Sequence, residues 1–263
     1  MTTIARSARA VLETAEPRAK VRLAREVARR WRRGELAHAF DVSMPDAPAR
    51  PDRPELLPPN RMPKRGKGGS ERGRIALLHA LAHIEFSAID LAFDCAGRFG
   101  AQFPRAFIDD WLSVGADEAM HFAILDRRLR ALGSGYGELP AHAGLWEAAA
   151  ATAQDALGRL AVVPMVLEAR GLDVTPDTVA RFEAAGDGPS ARILHRIYTD
   201  EIRHVGFGVK WFGALCADSG QEPAPLWREK VGRYFRGVLK RPFNDSARSQ
   251  AGLTREFYEV IAC

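Results

Sequence analysis

The chain is predicted to be all-α on three observations. Apolar residues recur every three or four positions through long stretches, the period of a helix with one buried face. Proline and glycine clusters fall between those stretches and read as their turns. Two Asp-Glu-x-x-His segments, Asp117–His121 and Asp200–His204, each follow a lone glutamate with apolar neighbours, Glu85 and Glu168. The distance from glutamate to glutamate is 33 residues in both halves. Such a repeat calls for four long helices, two per half.

Taken in order, residues 3–16 and 18–36 read as two helices parted near Pro17, with Val11 and Leu12, then Leu23, Val27 and Trp31, on their apolar faces. From Asp41 to Gly73 the composition changes. Pro45, Pro48, Pro51, Pro54, Pro58, Pro59 and Pro63 exclude regular helix, and Gly66, Gly68 and Gly69 follow. This stretch is expected to lie as a long proline-rich strap across the domain, burying Leu56, Leu57 and Met62. Residues 1–73 are thus assigned to N-terminal helices plus strap.

Residues 74–217 are assigned to a four-helix bundle. Ser70-Glu71 opens its first helix, through Leu78, Ala82, Glu85 and Ile89 to a stop near Gly97 or Gly100. Pro104 stands in the first turn of the second, which runs through Glu118 and His121 to Gly133. Glu85 and Glu118 lie about equally far from the bend at 100–103. In an antiparallel hairpin they should meet at equal height, roughly 22 Å from the turn at 1.5 Å per residue. A third helix is expected from Leu145 to a stop at Gly171, kinked by Pro164. Thr175-Pro176 is expected to cap a short helix, and after Gly188-Pro189 a fourth long helix carries Tyr198, Glu201 and His204 to about Cys216. Residues 218–263 form a helical extension: a basic helix from Trp227 to Lys240, an irregular Arg241–Asn244 piece, and a last helix from Thr254 to Ile261.

At 263 residues the chain can bury a sizeable core, and 46% hydrophobic with 27% charged residues is ordinary globular composition. The longest apolar run, Leu160–Leu167, is broken by Pro164 and is far short of the ~20 residues of a span. No membrane span is expected, and no signal peptide. Three cysteines without Cys-x-x-Cys spacing (Cys95, Cys216, Cys263) point to reduced thiols and a cytoplasmic setting. Charge is uneven. Residues 1–33 hold ten basic against three acidic residues, whereas residues 75–217 hold twelve against eighteen, so an acidic centre lies between basic flanks.

Glu85, Glu118, Glu168 and Glu201 sit on apolar helix faces. Four carboxylates cannot be buried together as bare charges, but two divalent cations would balance them. Glu-x-x-His places both side chains on one helix face, and two such motifs plus two glutamates form the ligand set of a dinuclear carboxylate site. Carboxylate and imidazole together suit iron or manganese better than calcium or magnesium.

The six residues Glu85, Glu118, His121, Glu168, Glu201 and His204 resemble the ligand pattern of the ferritin-like di-iron carboxylate superfamily. His79–Glu85, both Asp-Glu-x-x-His pieces, and Arg241–Asn244 with Ala247-Arg248 are similar to an uncharacterised bacterial family of ferritin-like proteins. The resemblance implies a ferritin-like four-helix bundle, Glu118 and Glu201 bridging two Fe ions (or Mn, or a mixed Mn/Fe pair), and Asp117 and Asp200 orienting the imidazoles. Tyr198, one turn before Glu201, is a candidate cavity or relay residue; plain packing is the alternative. The expected activity is a non-haem di-iron oxidoreductase that uses dioxygen to oxidise or hydroxylate an unknown substrate, with a reductase as electron donor. A nucleic-acid substrate, as for tRNA-modifying hydroxylases of similar layout, is consistent with the basic flanks. The alternatives are ferroxidase or iron storage, and a metal-stabilised scaffold without catalysis.

Overall fold

The computed structural model describes residues 2–63 and 70–262. Gly66, Gly68 and Gly69 of the strap and Cys263 lie outside the described residues. Among those described, every regular element is helical, and extended pairing is limited to the isolated bridges Thr3–Ala37 and Leu56–Ala141. The chain divides into two compact units, Met1–Trp146 and Glu147–Cys263.

The first unit holds α1 (Ile4–Leu12), α2 (Pro17–Arg32), α3 (Glu71–Phe99) and α4 (Arg105–Ala131). Side-chain caps start three of them. Thr3 accepts from the Arg6 amide, the Glu16 carboxylate from those of Arg18 and Ala19, and Ser70 from that of Gly73. Helix α1 packs on α3 and α2 on α4. By length and composition α3 is apolar enough to cross a membrane, and 67% of its apolar window is buried here. Counting uninterrupted apolar runs misses this helix, because His83, Glu85, Asp90 and Asp94 split the run. Two of these acids are neutralised inside the unit: Asp90 by Lys20 and Arg50, and Asp94 by Arg98.

Residues 34–63 run largely without regular structure in the first unit, and the apolar residues expected to be buried there are not the ones that are. Leu56 is 42% exposed, and Leu57 and Met62 are only half-buried. Leu36, Met44, Pro48 and Pro54 are the buried anchors. Met44 occupies the space where a side chain at Gly97 would lie. Backbone bonds do the rest: Ala49 N–H to the Leu12 carbonyl at 2.8 Å, Leu57 N–H to Ala141 at 2.8 Å and Ala141 N–H to Glu55 at 2.9 Å. Arg98 adds a bond to the Pro45 carbonyl at 2.8 Å. An irregular segment with few apolar side chains is held by satisfying its own polar backbone.

The second unit begins within α5 (Gly144–Ala151). It contains α6 (Ala156–Val162), a π-helical turn (Val163–Glu168), α7 (Ala169–Ala184), α8 (Gly188–Ser219), α9 (Pro223–Tyr234), α10 (Asp245–Gln250) and α11 (Arg255–Tyr258). The single helix expected from Leu145 is instead broken at residues 152–155. There the Asp155 carboxylate caps α6, and buried Arg159 bonds the Thr152 hydroxyl and the Ala149 carbonyl. Gly171 does not stop the helix, nor does Thr175-Pro176 begin one, since both lie inside α7. Burial of Leu172 and Phe182 along one face outweighs these local breakers. Helix α9 ends at Tyr234 rather than Lys240, where Phe235 turns extended.

Asn244 begins α10 by accepting from the Ala247 amide, an N-cap not anticipated from the sequence. The Arg241–Arg248 piece is a clasp. Asn244 bonds the Leu172 carbonyl and the Asp173 carboxylate, and Arg248 grips Asp173 through two bonds of 2.8 and 2.7 Å.

Candidate metal centre

In the first unit α3 and α4 form a hairpin around the short turn Gly100–Gln102, and the equal-height relation brings Glu85, Glu118 and His121 together. Each offers a ligand atom within 4.8 Å of the others'. His121 Nδ1 stands 3.1 Å from Glu118 and 3.4 Å from Glu85. All three are buried, Glu118 to 1% exposure. Burial first, and the neighbouring Glu118 charge second, push the Glu85 carboxyl well above its ordinary range. Without a cation, this cluster must hold protons to stay neutral. A glycine lets the helices close here: a β-carbon on Gly115, one turn before Glu118, would lie 2.6 Å from the Phe93 ring.

The second unit has a matching piece. Glu201 and His204 are buried on α8, with His204 Nδ1 3.5 Å from Glu201. Both imidazoles thus turn the same nitrogen toward the glutamate three residues earlier. Glu168 is half-buried at the end of the π turn. Pro164 lacks the amide that would bond Leu160, and the Ala169 amide reaches back five residues to the Pro164 carbonyl. The kink expected at Pro164 is therefore a widened turn ending on Glu168. Gly208, one turn after His204, accommodates it, because a β-carbon there would fall 2.5 Å from the Pro164 ring. A cavity of about 280 Å³ lies beside the turn, lined by Val166, Leu167, Val238, Leu239 and Phe243.

Asp200 is buried and bonded at 2.6 Å to Arg196 of its own helix, and Asp117 is half-buried on α4. The Tyr198 hydroxyl accepts from the Asn244 amide group at 3.0 Å, which ties it to the C-terminal clasp. His79 and His83 are structural neighbours of the 133–144 loop. His79 Nε2 accepts from the Gly137 and Leu139 amides, and His83 Nδ1 lies 2.9 Å from the Tyr136 hydroxyl. A third Glu-x-x-His, Glu35–His38, falls past the end of α2. Its glutamate pairs with Arg30 and Arg33, and its ring packs against Trp31 and Phe40. Sequence reasoning missed Gly115 and Gly208, whose only signal is a glycine at helical spacing from a ligand position.

A family described as "Protein of unknown function (DUF455)" matches residues 13–259, which include all six expected ligands and the clasp. The chain belongs to the DUF455 family. An uncharacterized protein of Haemophilus influenzae is 42% identical over 220 residues, covering 80% of this DUF455 chain and 76% of its own length. No solved structure matches. For this DUF455 member, then, the buried glutamate–histidine cluster that could hold a metal ion is the feature from which function must be argued.

Proposed function

We propose that the chain is a ferritin-like metalloprotein in which Glu85, Glu118, His121, Glu168, Glu201 and His204 hold two metal ions, and that it works as a non-haem di-iron oxidoreductase. The reading rests on one observation above others: two buried Glu-x-x-His pairs, each with the imidazole Nδ1 turned toward its glutamate. The donor set fits the metal chemically. Buried carboxylates crowded around an imidazole are costly as bare anions, and the raised Glu85 carboxyl records that cost. Four carboxylates and two imidazoles are hard and borderline donors suited to iron or manganese. An iron pair, when bound, supplies reduction of dioxygen coupled to oxidation of an organic substrate, with electrons from a partner reductase.

The chain's own part is to place and shelter these ligands. Burial of His121 and His204 excludes bulk water from the donor atoms. Helix-borne positions hold them rigidly, and the π turn sets where Glu168 stands.

Metal analysis of the full-length protein tests the assignment. Two equivalents of iron or manganese per chain are expected in the parent and none retained stoichiometrically in Glu118→Ala or His204→Ala. Either variant binding two metals like the parent would sink the ligand set. Anaerobic loading with Fe(II), then oxygen, should give a transient visible absorption. A loaded protein that consumes no oxygen is a metal-stabilised scaffold, and a shell-sized particle that mineralises iron is a store.

A further inference from the structure

Helix α2 carries Arg18, Arg22, Arg25, Arg29 and Arg32, spaced four, three, four and three residues apart. At 100° and 1.5 Å per residue they share a stripe about 80° wide and about 21 Å long. All five are exposed, whereas Lys20, Val21, Ala24, Val27, Ala28 and Trp31 on the opposite arc are buried. Among the described residues, none of the five side chains has an ion-pair, hydrogen-bond or ring partner. Exposed Glu26 at the stripe's shoulder engages none of them. The other N-terminal arginines are paired: Arg6 with Asp41, Arg9 with Glu13, and Arg30 and Arg33 with Glu35.

Folding does not call for this stripe. Like charges three and four residues apart work against a helix; Arg29 and Arg32 in the last turn complement the macrodipole, but Arg18 in the first turn opposes it, and Arg22 and Arg25 gain nothing from it. We propose that the stripe is a docking surface for the phosphate backbone of a double-stranded nucleic acid. Every cation in it is arginine, whose planar fork matches phosphate geometry better than a lysine point charge. Its length corresponds to roughly six base pairs at 3.4 Å each. No aromatic residue stands in the stripe to stack on the unpaired bases of a single strand. The apolar arc of α2 is buried, leaving no face to enter a lipid interface. An acidic peptide would want apolar anchors between the charges, and the stripe offers none. This surface belongs wholly to the first unit and does not depend on the metal reading.

Fluorescence anisotropy of the full-length protein with labelled 20-base-pair DNA and RNA duplexes tests the proposal, alongside sedimentation with phosphatidylserine vesicles. Binding to at least one duplex is expected at 50 mM salt. The plot of log affinity against log salt should have a slope between about −3 and −5. Arg22→Glu/Arg29→Glu should weaken duplex binding at least tenfold and flatten the slope by about 2, with unchanged circular dichroism and Tm. Should that variant misfold, Arg18→Gln/Arg25→Gln should show the same loss at smaller amplitude. Duplex affinity unaltered in a folded variant, no duplex binding at 50 mM salt, or vesicle binding without duplex binding would each overturn the proposal.

Discussion

Gly208 of α8 lies so close to Pro164 that a β-carbon at residue 208 would fall 2.5 Å from the proline ring. A pyrrolidine ring cannot rotate away, so helix and π turn are fitted to one another at this point. Gly208 stands one turn after His204, and the turn ends on Glu168. The same contact therefore bears on two of the proposed ligands.

Gly208→Ala should accordingly destabilise the protein by about 1–3 kcal/mol through overpacking and reduce bound metal. Gly213 is the control on the same helix. It has nothing within 4 Å of a built β-carbon, so Gly213→Ala should stabilise by about 0.5–1 kcal/mol. Urea unfolding of both variants, with metal analysis, checks the pair. Equal effects would show that the close contact is not what matters.

Pro164→Ala returns an amide to the π turn and permits an ordinary bond to the Leu160 carbonyl. The helix should tighten and carry Glu168 round the axis. Stability should stay level or rise, while metal affinity falls at least tenfold. A competition titration with a chelator reads this directly, and parent-like affinity would mean the widened turn does not serve Glu168.

Lys20 and Asp90 are both fully buried and paired with each other, and Arg50 stands 3.3 Å from the same carboxylate. Burial lowers the lysine pKa even against the nearby carboxylate. Lys20→Met leaves Asp90 with a single partner and should cost about 3–5 kcal/mol, whereas Lys20→Met/Asp90→Leu should recover most of it. Chemical denaturation of the single and double variants decides between these outcomes.

Acid should weaken the first unit through the two α3 histidines that contact the 133–144 loop. Burial pushes the pKa of His79 down to about 4, and that of His83 to about 4, from an ordinary 6.5. Between these values the unfolded chain binds more protons than the folded one. Stability therefore rises with pH across that window and is lost as pH falls from about 6.5 through about 4. The geometry agrees, since a proton on His79 Nε2 would face two amide donors. Tm measured at pH 7, 5.5 and 4.5 should drop by several degrees, and His79→Gln should flatten part of the decline. A flat profile in the parent would contradict the assignment.

The α3–α4 hairpin and its three converging donors were legible in the sequence because equal distance from a bend is arithmetic on residue numbers. Pro164 was legible as a disturbance, yet its form was not, because a missing amide does not say which carbonyl the next donors will choose. Gly171 and Pro176 misled because each is a helix breaker locally, while the deciding term, burial of Leu172 and Phe182, is tertiary. The strap misled in the same way. Leu56 and Met62 are large and apolar, but the buried side chains include Met44, selected by an absent side chain at Gly97 far along the chain.

That last contact bears on how the protein can be cut. The helix that supplies Glu85 is clamped from outside by Met44 and by Ala8 of α1, both within 3.2 Å of where a β-carbon on Gly97 would stand. A minimal peptide built only from α3 and α4, which carry three of the proposed ligands, would strip off that cover and expose a face buried in the first unit. A fragment meant to keep the Glu85–Glu118–His121 cluster should therefore retain α1 and the Met44 segment along with α3 and α4.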